Sequence, residues 1–383
     1  MSKVSCIYNG NLSYTLSFES QKNKFDADFK ITCPQDFIYQ PVSCYDGFLF
    51  AIILKAMEVG EDLDVEFPIS KQGYQNAVYF MEAWHNLIPR RYKKVKLLPK
   101  YICDVSNVTD KNDECIAAFS GGVDASFTLV RHQEKDWGSS SYNLKNVLSV
   151  HGFDIPTYKK NEFDALIERV SPIFEQYGCR SFQVWTDLRE KSDQDWEMSF
   201  AAQLSCCLHL FSEHFSTAVI ASSKSYRDMF VPWGSTPSTD FLLSGAAMTV
   251  VNDGAGYSRT EKVQRIAANK MVSKYIKVCW QNKSMDNCGQ CEKCYRTRLN
   301  FLAAGYPYVE CFEGAIKLHK IPKMKVNSKT KAKEIQSILE YVKQHHFNST
   351  WISLLKLVLM KWQLIYRPLT AWKSFSRMIR RKI

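Results

Sequence analysis

Cys115-Ile116-Ala117-Ala118-Phe119 is a short apolar run, and Ser120-Gly121-Gly122-Val123-Asp124-Ala125-Ser126 follows it directly. A helical pattern then runs from Ala125 to about Glu134. The strand-to-helix order recurs downstream. Val147–Val150 precedes a helical pattern near Asn161–Tyr177, Ser181–Trp185 precedes one near Trp196–His214, and Thr217–Ala221 is a fourth apolar run. Strands alternating with helices predict an α/β domain with a parallel sheet, right-handed crossovers and helices on both faces.

Glycines let a backbone approach an anion closely, and the N–H groups at a helix start point toward it. The hydroxyls of Ser120 and Ser126 add donors, and Asp124 can orient the loop or hold a magnesium ion. The stretch is neither a Walker A loop nor a dinucleotide fingerprint, because it lacks the lysine and the three-glycine spacing. Either the turn binds phosphate, or Gly121-Gly122 merely permits a tight bend. Its place after the first strand of an open parallel sheet favours a ligand.

Four cysteines gather farther on, as Cys279-x8-Cys288-Gly289-x-Cys291-x2-Cys294. Thiolates bind zinc tetrahedrally, and two residues between ligands suit a knuckle whose amides face the sulfurs. Lys283, Lys293 and Arg296 favour the thiolate form. The expectation is a closed structural zinc site followed by a helix over Arg298–Ala304. An iron–sulfur cluster on the same four thiolates is the rival.

The Ser-Gly-Gly-x-Asp-(Ser/Thr) turn resembles the PP-loop of the N-type ATP pyrophosphatases, which split ATP into AMP and pyrophosphate. The chain departs from that pattern at Ala125, where the family has a hydroxyl, and Ser126 supplies one a residue later. Paired with the four cysteines, the turn resembles the 7-cyano-7-deazaguanine synthase family over residues 115–305, about half the chain. The resemblance implies a PP-loop (adenine nucleotide alpha-hydrolase-like) domain with ATP, Mg2+ and Zn2+. It also implies that Ser120, Gly121, Gly122, Val123, Asp124, Ala125 and Ser126 grip the pyrophosphate. His151 and Gly152 would lie by the nucleoside, and Arg259 by the phosphates, with Ser120, Asp124, Ser126 and Lys262 in catalytic roles. The implied reaction adenylates a carboxylate, on a modified purine or a macromolecule, for attack by a nitrogen donor (ammonia or an amine). A thiolase-type RNA-modifying enzyme and a non-catalytic nucleotide-binding scaffold, for example in a defence complex, are the alternatives.

Several residues carry a bland reading beside the functional one. His151 can be a strand-end histidine with a satisfied hydrogen bond. Asp187 and Arg189 can be a loop salt bridge. Ser222–Asp228 and Trp233–Asp240 follow the fourth strand, where α/β folds place substrate groups. Ser258-Arg259-Thr260-Glu261 has capping-box spacing and predicts a helix to about Met271. Cations at a helix start oppose the dipole, so Arg259 and Lys262 suggest an anion partner, or else a solvated helix end.

The rest of the chain adds two regions. Residues 1–110 mix alternating stretches (Leu12–Phe18, Phe29–Thr32, Leu63–Phe67, Val95–Leu98) with helical patterns near Tyr45–Glu58 and Gln72–Leu87, which read as a small α+β module. Ser106–Glu114 is a linker to the PP-loop domain at 115–310, and 311–383 is a helical basic tail. Of the net charge of +11, residues 317–383 carry +14, from 16 Lys/Arg and two acids. Tail segment 350–366 is amphipathic, with Trp351, Leu354, Leu355, Val358, Trp362 and Ile365 on one face, and Trp372, Phe375 and Ile379 form a second stripe after Pro368. The tail either packs on the body or meets nucleic acid, an anionic membrane surface or a partner protein, and a homodimer is open. With 45% apolar and 23% charged residues in 383, the chain is neither disordered nor a disulfide-stapled mini-domain. No stretch is apolar and long enough to span a bilayer. Thirteen cysteines and no signal-peptide pattern predict a cytoplasmic protein with thiols or metal ligands rather than disulfides.

Overall fold

The computed structural model describes residues 1–103, 113–228, 232–279 and 286–366. Most of the expected linker and the second tail stripe lie outside the described residues. The strands are β1 (Ser2–Gly10), β2 (Ser13–Glu19), β3 (Lys24–Thr32), β4 (Leu63–Ser70), β5 (Leu97–Cys103), β6 (Glu114–Ala118), β7 (Asn143–His151), β8 (Arg180–Thr186), β9 (Thr217–Ala221) and β10 (Thr249–Asp253). The helices are α1 (Asp46–Val59), α2 (Lys71–Leu87), α3 (Val123–Gln133), α4 (Lys160–Tyr177), α5 (Leu188–Ser192), α6 (Trp196–His209), α7 (Arg259–Ala267), α8 (Lys270–Tyr275), α9 (Glu292–Ala303), α10 (Lys329–Gln344) and α11 (Thr350–Lys361). They fall into two compact units, Met1–Gly256 and Tyr257–Ile383.

In the first unit one ten-stranded sheet runs in the order β10-β9-β6-β7-β8-β3-β2-β1-β4-β5. The fold is α/β with a mixed, mostly parallel sheet: β1–β2, β2–β3 and β3–β8 are antiparallel and the other neighbours parallel. The antiparallel pairing of Phe29–Thr32 with Gln183–Thr186 joins the strands of residues 1–103 to those of 113–253. Their core is correspondingly continuous, with Phe29, Phe48, Phe182, Val184 and Phe211 all buried in it. Parallel strands buried on both faces need apolar runs, which is what Val147–Leu148 and Ala218–Ile220 supply.

Helix α1 is apolar on every side, and each residue from Asp46 to Met57 is buried. Its first residue is a carboxylate, which accepts the Ser70 N–H at 2.7 Å and the Ser70 hydroxyl at 2.6 Å. That hydroxyl oxygen in turn accepts from Gly73 N, capping α2, and from Ala246 N. A Cβ at Gly245 or Gly73 would stand 2.1 or 2.3 Å from the Asp46 carboxylate, so both contacts need glycine. One buried acid thus fastens two helix starts and the 244–246 turn.

The cysteine expectation needs a correction, since Cys44 and Cys103 form a disulfide across 59 residues. Sequence spacing hides this because the sheet creates it. Tyr45 N donates to Pro68 O, while Ser70 pairs with Cys103, so both cysteines are brought to the end of β4. Cys206 and Cys207 are core residues, as their apolar helix suggested. No helix among the described residues is long and apolar enough to cross a membrane.

In the second unit α9, α10 and α11 enclose a separate core of Leu299, Ile335, Ile338, Trp351, Leu355 and Val358. The Ser258 capping box is present, with Glu261 N donating to Ser258 Oγ and Ser258 N to the Glu261 carboxylate. The helix stops at Ala267, short of the expected Met271, because Asn269 Oδ1 accepts from Val272 N and starts α8 afresh.

Asp46→Ala leaves two buried Ser70 donors unanswered and should lower unfolding free energy by about 3 kcal/mol. Gly245→Ala should cost at least as much. The double variant should recover part of the loss in chemical unfolding, because removing the carboxylate makes room for the methyl group.

Candidate functional site

The chain leaves β6 toward β7 on one side and returns to β9 on the other, so the strand order reverses between β6 and β9. The crevice beyond the carboxyl ends at such a reversal is where open α/β sheets bind ligands. Ser120–Ser126 occupies that position. Gly121 takes φ +74°, a left-handed conformation glycine adopts without strain, and Gly122 is the extended N-cap of α3. Ser120 is exposed, Asp124 half-buried, and Val123 and Ala125 are buried. Ser126 is fully buried, and its hydroxyl has no hydrogen-bond partner among the described residues. An unanswered buried hydroxyl costs about 1–3 kcal/mol; Ser181, Ser192 and Ser212 share that state, and what sets Ser126 apart is its place in the first turn of α3.

Helix α3 is clamped from behind. Asp253, the last residue of β10, accepts from Thr128 Oγ1 at 2.7 Å and lies 3.3 Å from Arg131 Nη1 and 3.2 Å from His132 Nε2. His132 Nδ1 accepts from Tyr142 N, which leaves the ring proton on Nε2, facing the carboxylate. Burial opposes the Asp253 charge, yet His132, Thr128 and Arg131 together hold its pKa below the ordinary value. The Asp253 carbonyl also accepts from Ser222 N, tying the end of β10 to the segment after β9.

The other first-unit candidates take structural partners. His151 ends β7 with Nε2 3.0 Å from Pro156 O and its ring stacked on Phe163, and burial lowers its pKa. Gly152 sits at φ +115°, where a Cβ would come within 1.7 Å of Thr186 O. Asp187 accepts from Asp28 N, whereas Arg189 donates to Phe153 O and stacks on Trp196, so the expected pairing of these two is replaced by separate contacts.

In the segment after β9, the hydroxyls serve the loop itself. Asp240 is fully buried and accepts from Ser235 Oγ (2.6 Å), Thr236 N (2.9 Å) and Asn252 Nδ2 (2.7 Å). Burial outweighs these donors and pushes its pKa up to about 6. Lys224 is buried with its ammonium 4.9 Å over Trp233, whose Nε1 donates to Ser223 Oγ. Asp240 carries no motif, and only its place among loop hydroxyls marks it in the sequence.

In the second unit Arg259 is the first residue of α7 and half-buried, and Lys262 is buried at 2% exposure, which removes the solvated-end reading for the lysine. Cys279, Cys288, Cys291 and Cys294 converge, their sulfurs all within 4.8 Å of one another. Cys279–Cys291 is 3.9 Å and Cys288–Cys294 3.7 Å. Four thiolates sharing one tetrahedral ion at 2.3 Å stand about 3.8 Å apart, so the cluster can hold a zinc ion. A multi-iron core would spread the sulfurs more widely. Gln290 N and Cys291 N point at Cys288 Sγ, and Cys294 N at Cys291 Sγ, the amide pattern of a knuckle. The hydrogen bonds from Cys294 draw the Cys291 thiol down to about 5.

Asn287 builds this site, and nothing in the cysteine spacing announces it. Its Oδ1 accepts from Val278 N and Cys279 N, and its Nδ2 donates to Ile276 O and Cys311 O. All four side-chain bonds are thereby used to hold the first ligand beside the other three.

Comparison of the chain with protein-family models, curated proteins and solved structures yields no match.

Two measurements follow. Cys288→Ser should lose bound zinc in elemental analysis, and Asn287→Ala should retain the four thiols yet weaken metal retention against a chelator about tenfold or more. For Asp240, the folded pKa of about 6 lies above the ordinary 3.8. The folded state therefore keeps a proton that the unfolded chain has lost between about pH 4 and 6, and stability contributed by this group falls as pH rises through that window, by about 3 kcal/mol. Chemical unfolding across the window should show that slope in the wild type and a flatter one in Asp240→Asn.

Proposed function

We propose that the protein is a PP-loop ATP pyrophosphatase that adenylates a carboxylate for capture by a nitrogen nucleophile, in the manner of the 7-cyano-7-deazaguanine synthases. The observation that carries this reading is the Ser120–Ser126 turn at the strand-order reversal, with a buried, unanswered Ser126 hydroxyl in the first turn of α3. The four-cysteine knuckle, holding zinc as a structural ion, is its second support. On this reading the chain comprises an α+β module, a PP-loop domain and a basic helical tail.

In the reaction a substrate carboxylate oxygen attacks the α-phosphorus of ATP. The bond to the bridging oxygen breaks, pyrophosphate leaves, and an acyl-adenylate forms. The nitrogen donor then attacks the acyl carbon and expels AMP. On this reading the helix-start N–H groups and the Ser120 hydroxyl answer charge on the departing pyrophosphate, and the Ser126 hydroxyl behind them adds a donor. Asp124 is the residue suited to a magnesium ion, which would supply further neutralisation of phosphate charge. No side chain is required as a covalent nucleophile, because positioning and electrostatics suffice.

Ala125 supports a second reading, a descendant that binds nucleotide as a scaffold without turning it over. Incubation with Mg-ATP and cell extract separates the two. The enzyme reading expects AMP and pyrophosphate, reduced about 100-fold or more in Asp124→Ala and about tenfold in Ser120→Ala. Intact ATP despite measurable binding would transfer the conclusion to the scaffold. Ser126→Ala gives an independent check: relieving an unanswered hydroxyl should raise stability by about 1 kcal/mol while weakening nucleotide binding about tenfold.

A further inference from the structure

Helix α11 has two apolar faces, and the core of the second unit uses one of them. Trp351, Ile352, Leu355 and Val358 are buried there with Ile335, Ile338 and Val342 of α10. The other face looks outward. Leu357 is 46% exposed, Met360 53%, and, in the turn that prolongs the helix, Leu364 73% and Ile365 51%. Steps of three and four residues place Leu357, Met360 and Leu364 in one stripe. Single exposed aliphatics are ordinary, whereas a contiguous row of them marks a contact surface.

The segment that carries the stripe is strongly basic. Residues 317–366 hold ten lysines, no arginine and two acids, Glu334 and Glu340. Glu334 is engaged by Arg296, and Glu340 accepts from Gln336. Lys356 and Lys361 are exposed and flank the stripe, and Lys361 Nζ also reaches Pro322 O at 3.2 Å. Past residue 366 the sequence continues with six more cations and no acid.

We propose that this face of α11 docks on an anionic lipid surface, the aliphatic stripe entering the headgroup–acyl boundary and the lysines meeting the phosphates. An aliphatic row bordered by lysines is the composition of an interfacial helix. Nucleic acid fits the stripe less well: the cations that flank it, Lys356 and Lys361, lack the arginine fork, and the stripe has aliphatics where base stacking needs aromatic rings. A second copy laid face to face would set lysine against lysine. The inference does not rest on the ATP reaction.

The test is co-sedimentation of the full-length protein with vesicles of phosphatidylcholine alone or with roughly one-third phosphatidylglycerol. Binding is expected on the anionic vesicles and at least about tenfold less on the neutral ones. It should be lost in Leu357→Ser/Met360→Ser/Leu364→Ser and weakened in Lys356→Gln/Lys361→Gln. Should the triple variant fail to melt like the wild type, Leu364→Ser alone, at the most exposed position, replaces it. Four results would overturn the proposal: no anionic-vesicle binding, binding indifferent to the stripe, a duplex nucleic acid bound in its place through the same residues, or a wild-type dimer that the triple variant converts to monomer.

Discussion

Placing a carboxylate in a protein interior costs several kcal/mol unless cations and donors surround it, and Asp253 is surrounded. Thr128, Arg131 and His132 reach it from a single helix, α3, while its own backbone carbonyl holds Ser222. The candidate site is built outward from that point. Because all three side chains come from α3, the carboxylate fixes the helix in both position and rotation. Fixing α3 fixes the glycine turn that opens it. The strand reversal between β6 and β9 creates a crevice, and Asp253 decides which way the helix start faces within it. Its removal would take from Arg131 and His132 the carboxylate that both face.

The second unit reaches comparable order by other means. Its cysteine site is arranged by one amide, Asn287, which binds main chain on both sides of the cluster. The ligands are therefore held close before any ion is considered, and α9 begins at the third of them, Cys291, which caps the helix. One residue thus belongs both to the cysteine cluster and to the start of a helix.

The alternation of strand and helix after residue 115 was legible because buried parallel strands must be apolar runs and their helices amphipathic. β7, β8 and β9 and helices α3, α4 and α6 stand where the pattern put them. β1 and β10 were not legible. β1 is mostly half-exposed and carries no apolar alternation, and β10 is five residues long. The β3–β8 pairing was hidden for another reason: antiparallel partners 151 to 157 residues apart leave no local trace. At the site, glycine and cysteine spacing announce the turn and the knuckle because their chemistry constrains neighbours in sequence. Asp253, Asp240, Asn287 and the Cys44–Cys103 bond act through tertiary neighbours, and composition is silent about those. The tail face was half readable, since a helical stripe reveals apolar sides without saying which of two becomes core.

Helix α1 carries a consequence for how the chain is made. Its residues Asp46–Met57 are buried, in part against α6, which ends at His209. At about 5–20 residues per second, a ribosome needs roughly 8 to 30 seconds to pass from Met57 to His209. For that interval the most apolar helix of the first unit has emerged with β4 and α2 to pack on it, but without α6. The first-unit core can therefore close around α1 only after α6 has been made.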